Sequence, residues 1–110
     1  MTECRVIKSH LELNILQYFN EVSSTTHVEV MQKPNVRMEE YQLESTFLHY
    51  VYMFGGYRHC SYTCICAKGD NSYVLHYGHV GAPNDKTLKD DDMELLDMGA
   101  EYHFYGSKIT

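Results

Sequence analysis

Gly55-Gly56 divides this chain into two kinds of sequence. Ahead of the pair, apolar residues recur at intervals of three and four; behind it, short β-rich runs are separated by polar turns. Glycine tolerates the left-handed backbone that ends a helix, so the pair stops helical structure and leaves the remainder to strands. Helices segregated from strands in this way predict an α+β fold: two helices packed on one face of an antiparallel sheet.

Within the first part, Ser9 and Glu12 have the spacing of a capping box, in which the hydroxyl accepts a first-turn amide and the carboxylate reaches back. Leu11, Ile15, Tyr18 and Val22, with Leu16 and Phe19 beside them, form the expected apolar stripe of a helix that Val28 and Met31 extend and Pro34 stops. A second helix is predicted over residues 38–54, with Leu43, Phe47, Tyr50, Val51 and Phe54 on its apolar side and Glu39, Glu40 and Glu44 on the other, the early glutamates at the positive end of the helix dipole. Beyond the glycines, residues 62–67 and 73–77 read as strands joined by a hairpin turn at Lys68-Gly69-Asp70-Asn71. Two further strands are expected over residues 93–100 and 105–110, after a loop at 81–85.

The third of these strands carries an anomaly. Asp97 stands inside an apolar run, where a carboxylate is expensive unless something pairs with it, a metal or another cation. Lys108 stands eleven residues later, where a returning strand runs back past Asp97. An ion pair across neighbouring strands requires the chain to reverse near Tyr102 and His103, whereas a tight turn at Gly99-Ala100 separates the two residues.

Other constellations are weaker. Cys64 and Cys66 share a strand face, and His76 and His79 follow, but their spacing is not that of a zinc knuckle or ribbon. Asp90-Asp91-Asp92 lacks the ligand spacing of a calcium loop and reads as a solvated turn. Tyr50, Tyr52, Phe54 and Tyr57 form an aromatic group whose ordinary use is core packing.

At 110 residues and 44% hydrophobic, the chain is the size of one domain. A net charge of −6 with 9 basic residues opposes binding to nucleic acid or to an anionic membrane, because both require a basic face. Without an apolar leader or spanning segment, a cytoplasmic chain is expected, with Cys4, Cys60, Cys64 and Cys66 kept as thiols.

Several stretches occur in an order that resembles the prolidase family, the Xaa-Pro dipeptidases of the pita-bread metallopeptidases. They are Glu39-Glu40-Tyr41-Gln42-Leu43-Glu44, Gly55-Gly56 with Tyr62-Thr63-Cys64-Ile65-Cys66, His76-Tyr77-Gly78-His79 with Gly81-Ala82-Pro83-Asn84-Asp85, and Leu96-Asp97-Met98-Gly99. The resemblance covers nearly the whole chain. It implies the first half of a two-half catalytic domain spanning residues 1–110, built around a pair of manganese ions that serve hydrolysis of dipeptides with C-terminal proline.

On that resemblance Asp97 occupies a metal-ligand position and His76 a substrate-contacting one, while His79 matches the motif without an assigned role. The position of the bridging carboxylate holds Lys108 instead. A protonated lysine has no lone pair to offer a metal and adds positive charge where two cations would sit. The resemblance therefore implies a dipeptidase-derived chain that is inactive by itself and binds no manganese. The competing expectations are a non-catalytic pseudo-enzyme fragment that self-associates or binds a prolidase-like chain, and a remnant with no selected role.

Overall fold

The computed structural model describes residues 2–78 and 84–110. A short helix α1 (Thr2–Val6) leads into α2 (His10–Gln32), which begins with the expected capping box: the Glu12 amide donates to Ser9 Oγ at 3.3 Å and the Ser9 amide to Glu12 Oε2 at 2.7 Å. Helix α2 ends two residues before Pro34. Helix α3 (Glu40–Met53) has Glu39 at its N-cap, and Gly56, at φ 68°, turns the chain away so that the Tyr57 amide reaches back to the Val51 carbonyl.

The strands are β1 (His59–Cys60), β2 (Ile65–Lys68), β3 (Glu94–Asp97), β4 (Ala100–Tyr102) and β5 (Tyr105–Gly106). They form two antiparallel pieces, β1-β4-β5 and β2-β3. Both run along the same two stretches of chain. Cys60 pairs with Ala100 and Ile65 with Asp97, so residues 61–64 lie opposite only Met98 and Gly99. The two surplus residues make a bulge, which divides the sheet and re-aims the side chains it carries.

The predicted helices-on-sheet architecture is what the chain adopts, but three of its local expectations are corrected. First, the buried face of α2 is Phe19, Ser23, Thr26, His27 and Val30, whereas Leu11 is 76% and Tyr18 43% exposed. Small polar groups face the sheet here because they are satisfied: Ser23 Oγ and Ser107 Oγ are 2.7 Å apart, and Thr26 Oγ1 donates to the Val22 carbonyl. A hydrophobic stripe drawn from apolar residues alone is therefore rotated from the true contact face.

Second, Glu40 does not face solvent. It is fully buried, and its carboxylate accepts from the Lys68 amide at 2.7 Å, Tyr77 Oη at 2.6 Å, Asn71 Nδ2 at 3.1 Å and the Lys86 amide at 3.3 Å. On the same helix Phe54, expected inside, is 69% exposed, while Leu43, Phe47 and Val51 are buried as expected.

Third, the predicted strand over residues 73–77 is not one. The chain leaves β2 into a 3₁₀ turn (Gly69–Tyr73), exposes Tyr73 and Leu75, and buries Tyr77 against Glu40. The β-prone residues there are overridden by the anchor at Glu40, which draws Asn71 and Tyr77 to one point.

The core lies between the helices and the sheet. Phe19, Val30, Leu43, Phe47, Val51, Tyr57, Met98 and Ala100 pack as one cluster. Tyr57 Oη donates to the Phe19 carbonyl at 2.6 Å, fixing α2 to the turn after α3.

Candidate functional site

Register decides what Asp97 meets. Tyr102 pairs with Tyr105, Glu101 with Gly106 and Met98 with Ile109, a single unbroken antiparallel register. Positions 97 and 110, and 99 and 108, therefore face each other, and Asp97 and Lys108 are diagonal neighbours on one sheet face. The reversal falls at His103 and Phe104, one residue beyond the expected Tyr102 and His103, and that shift makes the pair diagonal rather than directly opposed.

Between the two charged residues stands Gly99, whose position admits nothing larger. A Cβ there would lie 2.1 Å from the Ser107 carbonyl oxygen and 2.7 Å from Tyr62 Cε1. Lys108 Nζ reaches both carboxylate oxygens of Asp97 at 3.0 Å and Thr110 Oγ1 at 2.5 Å. Those three contacts use all three donors of an ammonium group.

The bulge supplies a further partner. Tyr62, carried by residues 61–64, donates its hydroxyl to Asp97 Oδ1 at 2.5 Å, and its ring lies 5.8 Å from the Lys108 ammonium. Burial alone pushes the Asp97 carboxyl up, but the hydrogen bonds from Tyr62 and Lys108 and the lysine charge outweigh it, leaving the group below the ordinary aspartate range. Burial, and then donation to Asp97, push the Tyr62 phenol strongly up, which keeps it protonated as a donor. Sequence reasoning missed Tyr62, because an uneven bulge is invisible until both strands are paired.

His76 lines the same open cavity of about 940 Å³ as Tyr62, Asp97 and Lys108. Its backbone is left-handed, at φ 56°, an unfavourable conformation for a residue with a Cβ. The three residues singled out in the sequence thus come to one cavity. His79, with Gly81, Ala82 and Pro83, falls outside the described residues.

His27 is a second residue that sequence reasoning did not find. It is 8% exposed, and Nδ1 is buried with no hydrogen-bond partner among the described residues. Burial lowers its pKa, an effect that the Asp97 charge partly opposes.

The donor set does not suit a metal. Both Asp97 oxygens are occupied by an ammonium and one also by a phenol, and among the described residues no three His, Cys, Asp or Glu side chains converge on a common point. Among the described residues the cluster joins one anion, one cation, one phenol and the Thr110 hydroxyl. Also among the described residues, no helix is long and apolar enough to cross a membrane.

The chain is 57% identical over its whole length to human (Homo sapiens) Xaa-Pro dipeptidase, and 36% identical to the Xaa-Pro aminopeptidase of Haemophilus influenzae. It spans only 22% and 24% of the length of these relatives. Its structure superimposes on a variant of Escherichia coli aminopeptidase P with a TM-score of 0.87 and 32% identity, covering 96% of this chain and 23% of that one. Proline aminopeptidase P II from Yersinia pestis gives a TM-score of 0.87 and 36% identity, with the same coverage. The fold is accordingly part of the pita-bread fold of those aminopeptidases. The matching family description, Metallopeptidase family M24, covers residues 14–110, and the chain belongs to that family.

Proposed function

We propose that this chain corresponds to the first half of a manganese-dependent Xaa-Pro dipeptidase catalytic domain, and that it is a pseudo-enzyme: it neither holds manganese at Asp97 nor hydrolyses dipeptides with C-terminal proline. The observation that carries this reading is the Lys108 ammonium, 3.0 Å from both Asp97 oxygens. In a two-metal hydrolase, paired cations polarise a bridging water and clamp the tetrahedral intermediate. An ammonium satisfies the carboxylate but offers no vacant coordination position for water. His76, the substrate-contacting position on the family resemblance, lines the same cavity as this pair.

The test is release of proline from glycyl-proline by the purified chain with manganese added. No release above a protein-free control is expected. Turnover that co-purifies with the chain and is lost in Asp97→Asn would overturn the reading.

A second reading, self-association or capture of a prolidase-like chain, is favoured by the exposure of Phe104 (94%), Leu75 (86%) and Met93 (80%). Large apolar groups exposed in this way are material for an interface. Light scattering at tens of micromolar tests it: a particle larger than one chain supports association, and a strict monomer that also fails to bind an Xaa-Pro dipeptidase removes it.

A further inference from the structure

An open groove of about 410 Å³ runs between α2 and α3. Two contacts fix how the helices lie along it: the Tyr18 hydroxyl donates to the Gly55 carbonyl at 3.5 Å, and the Lys33 ammonium lies 5.7 Å from the centre of the Tyr50 ring. The helices are therefore antiparallel, with Tyr18, Glu21 and Phe54 at one end of the groove and Glu29 and Tyr50 at the other. We propose that this groove binds a linear aliphatic polyamine, with one terminal ammonium at Glu21, the other at Glu29 and the methylene chain between them.

The walls of the groove have the alternation such a molecule requires. Glu21, Thr25 and Glu29 follow one another at intervals of four along α2 and form one row. Thr25, midway, offers a hydroxyl acceptor to an internal amine. Tyr50 and Phe54, also four apart, make the facing wall, with ring centres 5.3 Å apart and planes tilted by 36°. Val22 and Thr26 lie deeper, and the Thr26 hydroxyl is committed to the Val22 carbonyl at 2.8 Å, so the floor is suited to methylenes.

Charge and spacing select the ligand. Eight residues of helix separate positions 21 and 29 by about 12 Å, too far for both carboxylates to hold a single metal ion. The terminal nitrogens of an extended triamine are separated by a comparable distance. Among the described residues the ion pairs are Lys68 with Asp92 and Lys108 with Asp97, so neither glutamate is neutralised by a cation. Glu21 accepts from the uncharged Gln17 amide at 2.8 Å. The aromatic wall already receives an ammonium, that of Lys33 against Tyr50, because the face of a ring attracts positive charge. Phe54, left exposed by the fold, would be covered by the bound chain.

The experiment is calorimetric titration of the purified chain with spermidine at about 0.15 M salt, where diffuse surface attraction is screened. Saturable one-to-one binding is expected, with butylamine, which carries a single ammonium, weaker by about tenfold. Glu21→Gln combined with Glu29→Gln should weaken spermidine about tenfold and Phe54→Leu about threefold. Asp90→Asn combined with Asp91→Asn removes the same charge elsewhere and should leave binding unchanged. Absence of saturable binding, equal losses in the two double variants, or displacement by magnesium at matched ionic strength overturns the proposal. The comparison of spermidine with butylamine and magnesium uses the unsubstituted chain, so it decides the matter even where a variant misfolds.

Discussion

Lys108 and Asp97 meet diagonally beside Gly99, which carries no side chain. The lysine is 61% exposed and the aspartate only 18%, so the pair sits at the rim of the cavity with its anion inward. Solvent screens the lysine, and its energetic worth is that of a good surface pair rather than of a buried one.

Lys108→Ala is therefore expected to destabilise the chain by only about 1 kcal/mol, measured by urea denaturation at neutral pH and low salt. The sign of the pH dependence is set by Asp97, whose pKa in the folded chain is depressed. Its contribution is present above the unfolded value, about 3.9, and disappears as pH falls through the lower folded value. The difference between the two proteins should shrink in that acid window and in high salt. A constant difference would place the loss elsewhere.

Gly99→Ala should be far more damaging, by about 3 kcal/mol or more. Backbone rather than a flexible side-chain tip meets the added methyl, at 2.1 Å from the Ser107 carbonyl oxygen. Loss of the cooperative thermal transition, or a fall in its midpoint well beyond that of Lys108→Ala, is the expected result.

His27 titrates in a different window. Burial lowers its pKa, so the unfolded chain takes up a proton first, and stability should decline as pH falls below the unfolded value of about 6.5. Denaturation midpoints at pH 7.5 and 5.5 should differ more in the unsubstituted chain than in His27→Gln. Equal slopes in the two proteins would show that another group is responsible.

The hairpin between β4 and β5 stores strain that can be removed. His103 and Phe104 both adopt positive φ, 47° and 71°, in a two-residue loop that asparagine and glycine fill best. Replacing them with Asn-Gly should raise stability by about 1 kcal/mol, seen as a higher thermal midpoint, and should remove an aromatic ring that is 94% exposed.

The large divisions of the fold were legible because local chemistry decides them. Ser9 and Glu12 cap α2, Pro34 follows its end, and Gly56 turns the chain beyond α3. The Asp97–Lys108 contact was legible only to within a diagonal step, because the family resemblance implies a reversal near Tyr102 and His103 and the strands turn one residue later. What stayed hidden depends on distant partners. Glu40 looks like a helix-dipole glutamate until Lys68, Asn71, Tyr77 and Lys86 are seen to converge on it. Ser23 looks like a weak point of α2 until Ser107 arrives from residue separation 84. Tyr62 becomes a partner of Asp97 only through an unequal count of residues on two paired strands.

Glu40 also sets how this structure comes apart. The chain between β2 and β3 contains no strand among its described residues, and four donors, from positions 68, 71, 77 and 86, converge on one carboxylate. Backbone bonds from Tyr41 to Asn84 and from Leu88 to Met38 tether the far end as well, but the carboxylate is the one group these four donors share. While the carboxylate holds its donors, their amides and side chains are shielded together; once it lets go, they are released together, as one cooperative opening unit. Hydrogen exchange at the Lys68 and Lys86 amides would therefore report a common opening, governed by a residue that lies outside the excursion altogether.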